Sequence, residues 1–185
     1  MASAEEQRPG IRPRRTLVQR LDIAARGAFP TVATVLLMLI AKAPFGIAGH
    51  AALLPAVTLA SIWFWSLLRP AAIPPPIVFL IGILLDLLGW LPIGVGVLML
   101  LSLHGLAVYW RPRLAGARFV LVWLVFVLAA SGVTALEWPL TVALEWRVLP
   151  PAPLLFQVVL TASVYPVVAM VFARANRTVA APEKA

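Results

Sequence analysis

Six apolar runs of roughly 17–20 residues, at 28–47, 51–68, 73–90, 92–110, 119–138 and 154–173, occupy most of this 185-residue chain. A transmembrane helix needs about 20 predominantly apolar residues. The pattern therefore predicts an all-α integral membrane protein with about six transmembrane helices in one compact bundle. Composition agrees: 62% of residues are hydrophobic and the mean hydropathy is +0.98, well above the roughly 45–50% apolar usage of soluble domains. Outside the membrane domain at 28–173 lie a basic N-terminal tail (1–27) and a C-terminal tail (174–185). Neither reaches the size of a soluble domain, about 50 residues or more. Function is expected in the bundle, its rims or its partners.

The formal charge of +8 does not point to nucleic acid, because the basic residues are sorted by loop. Arg8, Arg12, Arg14, Arg15, Arg20 and Arg26 lie in the N-terminal tail, and Arg69 lies between the second and third runs. Arg111, Arg113 and Arg118 lie between the fourth and fifth, and Arg174, Arg177 and Lys184 close the chain. Only Lys42 and Arg147 fall on the opposite side. Such asymmetry marks the cytoplasmic face and predicts that both termini are cytoplasmic, as an even number of spans also requires. Cysteine is absent, which removes disulfides, thiolate metal sites and cysteine nucleophiles. With only His50 and His104, a multi-histidine metal cluster is not expected. No cofactor is expected either.

In the tail, Leu17, Leu21, Ala24 and Ala28 recur at helical spacing opposite Gln19, Arg20, Asp22 and Arg26, a pattern that fits a short basic helix on the membrane surface. The favoured reading is a cytoplasmic extension whose charge fixes topology. Ala41-Lys42-Ala43 imitates a signal-peptidase site, but Pro44 directly after it predicts that the segment is retained. Pro30 is expected early in the first span, where its missing N–H costs little. The segment Arg69-Pro70-Ala-Ala-Ile-Pro74-Pro75-Pro76 reads as a stiff connector of polyproline character, and 139–153 as a loop skimming the outer interface. Trp90, Trp110, Trp138 and Trp146 fall near span ends, as an aromatic belt requires; Trp63 and Trp65 do not.

Asp86 is the acidic residue most deeply set in an apolar run. A charge in hydrocarbon costs at least about 2.5–3.5 kcal/mol, so it is expected to face inward and be paired. Gly82, Asp86 and Gly89 are spaced i, i+4, i+7 and share a helix face, where small residues let another helix approach. Pro92 and Gly94 then open the fourth run, whose first N–H groups lack partners. Two readings follow. In the favoured one Asp86 accepts hydrogen bonds from the start of the fourth span and pins the turn; in the other it is a proton-relay, ion or partner-contact site. Glu137 is expected at the outer interface, His104 as a hydrogen-bonded packing residue, and Pro166 as the cause of a kink in the last span. No His-Glu-x-x-His, Gly-x-Ser-x-Gly, P-loop or paired intramembrane aspartates occur, so no catalytic residue is assigned.

The residues Leu54-Pro55, Trp63-Phe64-Trp65, Arg69-Pro70 and Gly82-Ile-Leu-Leu-Asp86-Leu-Leu-Gly89-Trp-Leu-Pro-Ile-Gly94 resemble the rod shape-determining protein MreD family. Glu137, Pro166 and the basic Arg174–Arg177 tail add to the likeness, which covers most of the chain. It departs from the family in having Trp90-Leu91-Pro92 where a serine or small polar residue is usual, and in its longer basic tail. The resemblance implies a non-enzymatic scaffold of the bacterial inner membrane that supports rod shape and lateral peptidoglycan synthesis. Its implied partners are MreC and, indirectly, MreB filaments and the elongation transpeptidase and glycosyltransferase, with membrane lipid around it and no nucleic acid. On the resemblance Gly82, Asp86, Gly89, Gly94, Glu137 and Pro166, and on the reading of the turn itself Pro92, are structural or partner-contact candidates. The family's span layout is distantly similar to the substrate-binding subunits of vitamin-uptake transporters, which supplies the alternative of a small-molecule transporter subunit. Such a pocket needs several convergent polar groups, and the spans offer few.

Overall fold

A computed structural model describes residues 17–43, 50–89, 92–145 and 152–180. Among these residues all regular structure is helical: α1 Leu17–Lys42, α2 Leu53–Leu68, α3 Pro75–Leu88, α4 Val95–Leu114, α5 Phe119–Glu145 and α6 Ala152–Ala180. Short 3₁₀ turns, His50–Ala52 and Pro70–Ala72, precede α2 and follow it. Among the described residues three segments are long and apolar enough to cross a membrane: Val95–Leu114, Phe119–Ala143 and Pro153–Arg177. The other three apolar helical segments, Gly27–Lys42, Leu53–Leu68 and Pro75–Leu88, are shorter, at 10–17 residues. The outer surface is itself apolar. Leu80, Leu87, Leu128 and Leu155 are each at least 63% exposed, which in water would be an aggregating surface and in lipid is an ordinary one.

The α2 helix forms the centre of the bundle. It packs against α1, α4 and α6, while α3 packs on α4, and α5 lies against α4 and α6. Leu54 and every residue from Ala56 to Ser66 are buried. A helix apolar on all sides belongs in such a position. Trp63 and Trp65 point about 200° apart around the axis, yet both are fully buried because neighbours surround the helix. Trp65 packs with Phe29, Phe64 and Phe172, and Trp63 with Phe126, which stacks on Tyr165 at 4.4 Å. These rings join α1, α2, α5 and α6. The two tryptophans are thus core residues rather than members of an interfacial belt. Trp110 lies near the end of α4, whereas Trp90 and Trp146 fall outside the described residues.

Lipid offers no water to hydroxyl groups, and most of those in the helices bond back to the preceding turn, Thr31 and Thr134 excepted. Thr34 donates to the Pro30 carbonyl, Thr58 to Leu54, Ser61 to Val57 and Ser66 to Ile62, all within 2.8 Å. The hydroxyl of Ser66 has one hydrogen. The same hydroxyl lies 2.8 Å from Nδ1 of buried His104, a hydrogen bond whose direction follows the imidazole tautomer. His104 is therefore a hydrogen-bonded packing residue linking α4 to α2. The α2 helix stops where Pro70 has no N–H to give Ser66 O, and Arg111 Nε from α4 caps the neighbouring Leu67 carbonyl at 2.9 Å.

Several boundaries differ from the sequence reading, each at a proline that lies inside a helix or in its first turn. The basic helix of the tail and the first span form one continuous helix from Leu17, so Pro30 lies in its interior rather than near its start. Pro112 lies inside α4 and Pro139 inside α5. Residues 139–145, expected as interfacial loop, continue α5, and 152–153, at its other end, begin α6; 146–151 lie outside the described residues. The proline connector is polyproline-like only at Pro74 (φ −69°, ψ 160°), since Pro75 and Pro76 already form the first turn of α3.

Candidate functional site

The α3–α4 turn brings together most of the residues singled out in the sequence. The α3 helix ends at Leu88, with the Gly89 N–H donating to Leu85 O at 2.7 Å. After residues 90–91, which are not described, the Val95 N–H closes a turn onto Pro92 O at 3.1 Å. Gly94 sits in the left-handed region (φ 103°, ψ −21°), where a side chain would be strained. It precedes α4 and has no side chain with which to cap it.

Asp86 supplies that cap from the neighbouring helix. Its Oδ2 accepts the Gly94 N–H at 2.7 Å and its Oδ1 accepts the Gly96 N–H at 2.8 Å. These are donors that a helix start leaves without partners, in the positive end of the helix dipole. Hydrogen bonds to a charged acceptor contribute about 1.5–3 kcal/mol each. At 4% exposure, Asp86 is the one buried carboxylate among the described residues. The acceptor and its donors, only eight and ten residues apart, meet because α3 and α4 form a hairpin.

Glycine makes the approach possible at two further points. A Cβ on Gly96 would collide with Asp86 Oδ1, and one on Gly82 would lie 2.6 Å from Val97 Cα. In lipid, helices associate by packing and polar contacts with little hydrophobic drive, so small residues at a crossing matter. Gly82 brings the α3 and α4 backbones together, and Asp86 fastens them one turn further on. Among the described residues no cluster of three or more His, Cys, Asp or Glu side chains has metal-binding geometry.

Glu137 and Pro166 stand elsewhere. Glu137 is half-buried in α5, about two turns before the helix ends. The helix runs on past it through Pro139, so Glu137 stands on helix rather than at the start of a loop. Pro166 lies inside α6, where its missing N–H deprives Ala162 O of a donor. The indole of Trp123 on α5 fills that gap, donating from Nε1 to Ala162 O at 2.9 Å.

Sequence reasoning missed Gly96, the Arg111 cap, the Ser66–His104 pair and Trp123. A signal existed for Gly96: a second glycine two residues after Gly94, at the position where a helix start presents another unpaired N–H. The others depend on which helices are neighbours, which periodicity does not encode. No protein-family profile, curated protein or solved structure matches this chain.

Proposed function

We propose that this chain is a non-enzymatic membrane scaffold similar to MreD, with six spans and both termini in the cytoplasm of a bacterial cell. In this role it holds MreC in the inner membrane and couples MreB filaments to the enzymes that build lateral wall. The observation that carries the reading is the geometry of Asp86. The motif most responsible for the resemblance, Gly82 to Gly94, forms a single architectural device in which the buried charge is engaged by backbone N–H groups. A carboxylate so engaged fastens two helices, a role suited to a protein whose shape is its function. It also counts against a transporter subunit, whose polar groups should converge on a substrate cavity.

Depletion in a rod-shaped host with no second copy tests the proposal, combined with affinity isolation from detergent-solubilised membranes. The expected result is rounded, widened cells, MreC among the retained proteins and vitamin uptake unchanged. Normal rods after complete removal would refute the elongation role, and loss of uptake of one vitamin with normal shape would favour the transporter subunit.

A further inference from the structure

A second feature lies at the opposite, arginine-bearing end of the bundle. A cleft of about 740 Å³ opens between the ends of α2 and α4, the start of α5 and the second half of α6. That volume is in the range of clefts that bury most of a ligand, about 300–1,000 Å³. Its walls are aliphatic and aromatic, and Arg111 is the one charged residue among those lining it. Leu68, Phe119 and Met170 line the cleft and are also 46–54% exposed, so part of its rim is continuous with the apolar outer surface.

Charge surrounds this rim with one sign. Arg113 and Arg118 follow Arg111 closely in the chain, and Arg174 follows the lining residue Ala173; all are exposed. The two carboxylates whose side chains are described, Asp86 and Glu137, lie toward the far ends of α3 and α5. Arg111 uses Nε on Leu67 O, which leaves its terminal N–H groups for another acceptor. An apolar slot with a fixed guanidinium at its rim matches a molecule that is hydrocarbon at one end and anionic at the other.

We propose that this cleft binds one anionic phospholipid of the surrounding membrane, with an acyl chain between α2, α5 and α6 and the headgroup phosphate on Arg111. The apolar rim favours a lipid over a free phosphate, because a soluble anion would gain nothing from the hydrocarbon walls. Basic pockets between transmembrane helices hold anionic headgroups by the same attraction. Such a site needs only a bundle embedded in lipid, so a host that stays rod-shaped without the protein would leave it standing.

Native mass spectrometry of the full chain in detergent tests the site, with phosphatidylglycerol and phosphatidylethanolamine of matched acyl chains titrated in turn. One phosphatidylglycerol should bind per chain with roughly fivefold preference, the contribution expected of one arginine near a headgroup. Ala173→Trp fills the cleft and leaves every charge in place, so it should lower that occupancy severalfold. Arg111→Gln should abolish the preference and Arg111→Lys should keep most of it, although both remove the bond to Leu67. Circular dichroism reports whether each variant folds; if Arg111→Gln does not, the tryptophan and lysine variants decide. Equal binding of the two lipids, or full occupancy in Ala173→Trp, would overturn the proposal. Displacement of the lipid by glycerol phosphate would show a headgroup site without a chain slot, and would overturn it as well.

Discussion

Removing the Trp123 indole tests whether a proline in a membrane helix is tolerated because a neighbour serves the carbonyl it frees. Trp123→Phe keeps a ring but deletes the donor to Ala162 O, 2.9 Å away. A buried carbonyl left unsatisfied costs about 1–3 kcal/mol in proteins generally. Interhelical hydrogen bonds measured in membranes are smaller, averaging about 0.6 and reaching about 1.7 kcal/mol. Trp123 is only partly buried, so about 1 kcal/mol is the expected hydrogen-bond share, with loss of indole packing added. Pro166→Ala separates the two: residue 166 then has an N–H for Ala162 O, and Trp123→Phe in that background should cost only the packing part. The measurement is reversible unfolding by SDS in mixed micelles, followed by circular dichroism so that the lost tryptophan does not alter the signal. The double variant should be more stable than the sum of the single effects by about 1 kcal/mol, above the roughly 0.3–0.5 kcal/mol scatter of independent sites. Simple additivity, or coupling of the opposite sign, would refute the reasoning.

Other expectations follow from the same geometry. Gly82→Leu should push α3 from α4 at Val97 and lower abundance in membranes, read by immunoblot, whereas substitution at Gly105, which has nothing within 4 Å of an added Cβ, should not. Gly94→Ala forces a side chain into the left-handed region and should cost about 1–2 kcal/mol in the same unfolding assay. Reporter fusions at Pro70 and Gly116 should read cytoplasmic, and fusions at Gly89 and Pro151 external; any reversal would contradict the six-span topology.

The helical bundle was legible from the apolar runs because lipid imposes one solution on them: backbone groups must be satisfied within a helix. The Asp86 cap was legible because the acceptor and its donors are close in sequence and a hairpin must bring them together. Helix ends were harder to read. Pro30 and Pro139 looked like an early helix position and a loop and proved to be helix interior, since among apolar neighbours the helix continues across one missing hydrogen bond. The tryptophans of α2 were set apart by position, but only the central place of α2 explains why both are buried. Contacts such as Ser66 with His104 or Trp123 with Ala162 join helices distant in sequence. Nothing in either segment alone announces its partner.

The central claim is that Asp86 acts in the architecture of a scaffold and not in chemistry, and two substitutions test it directly. Asp86→Asn retains one acceptor oxygen, enough for the buried Gly96 N–H, while its amide NH2 faces the exposed Gly94, whose N–H must turn to solvent. Asp86→Leu leaves both donors without the carboxylate, at about 1–3 kcal/mol for a buried one. Membrane abundance and cell shape should be measured for both variants in a rod-shaped host that depends on this protein. The account predicts that the asparagine variant accumulates and keeps most cells rod-shaped, while the leucine variant loses abundance and shape together. An asparagine variant that is fully abundant yet leaves the cells round would contradict it.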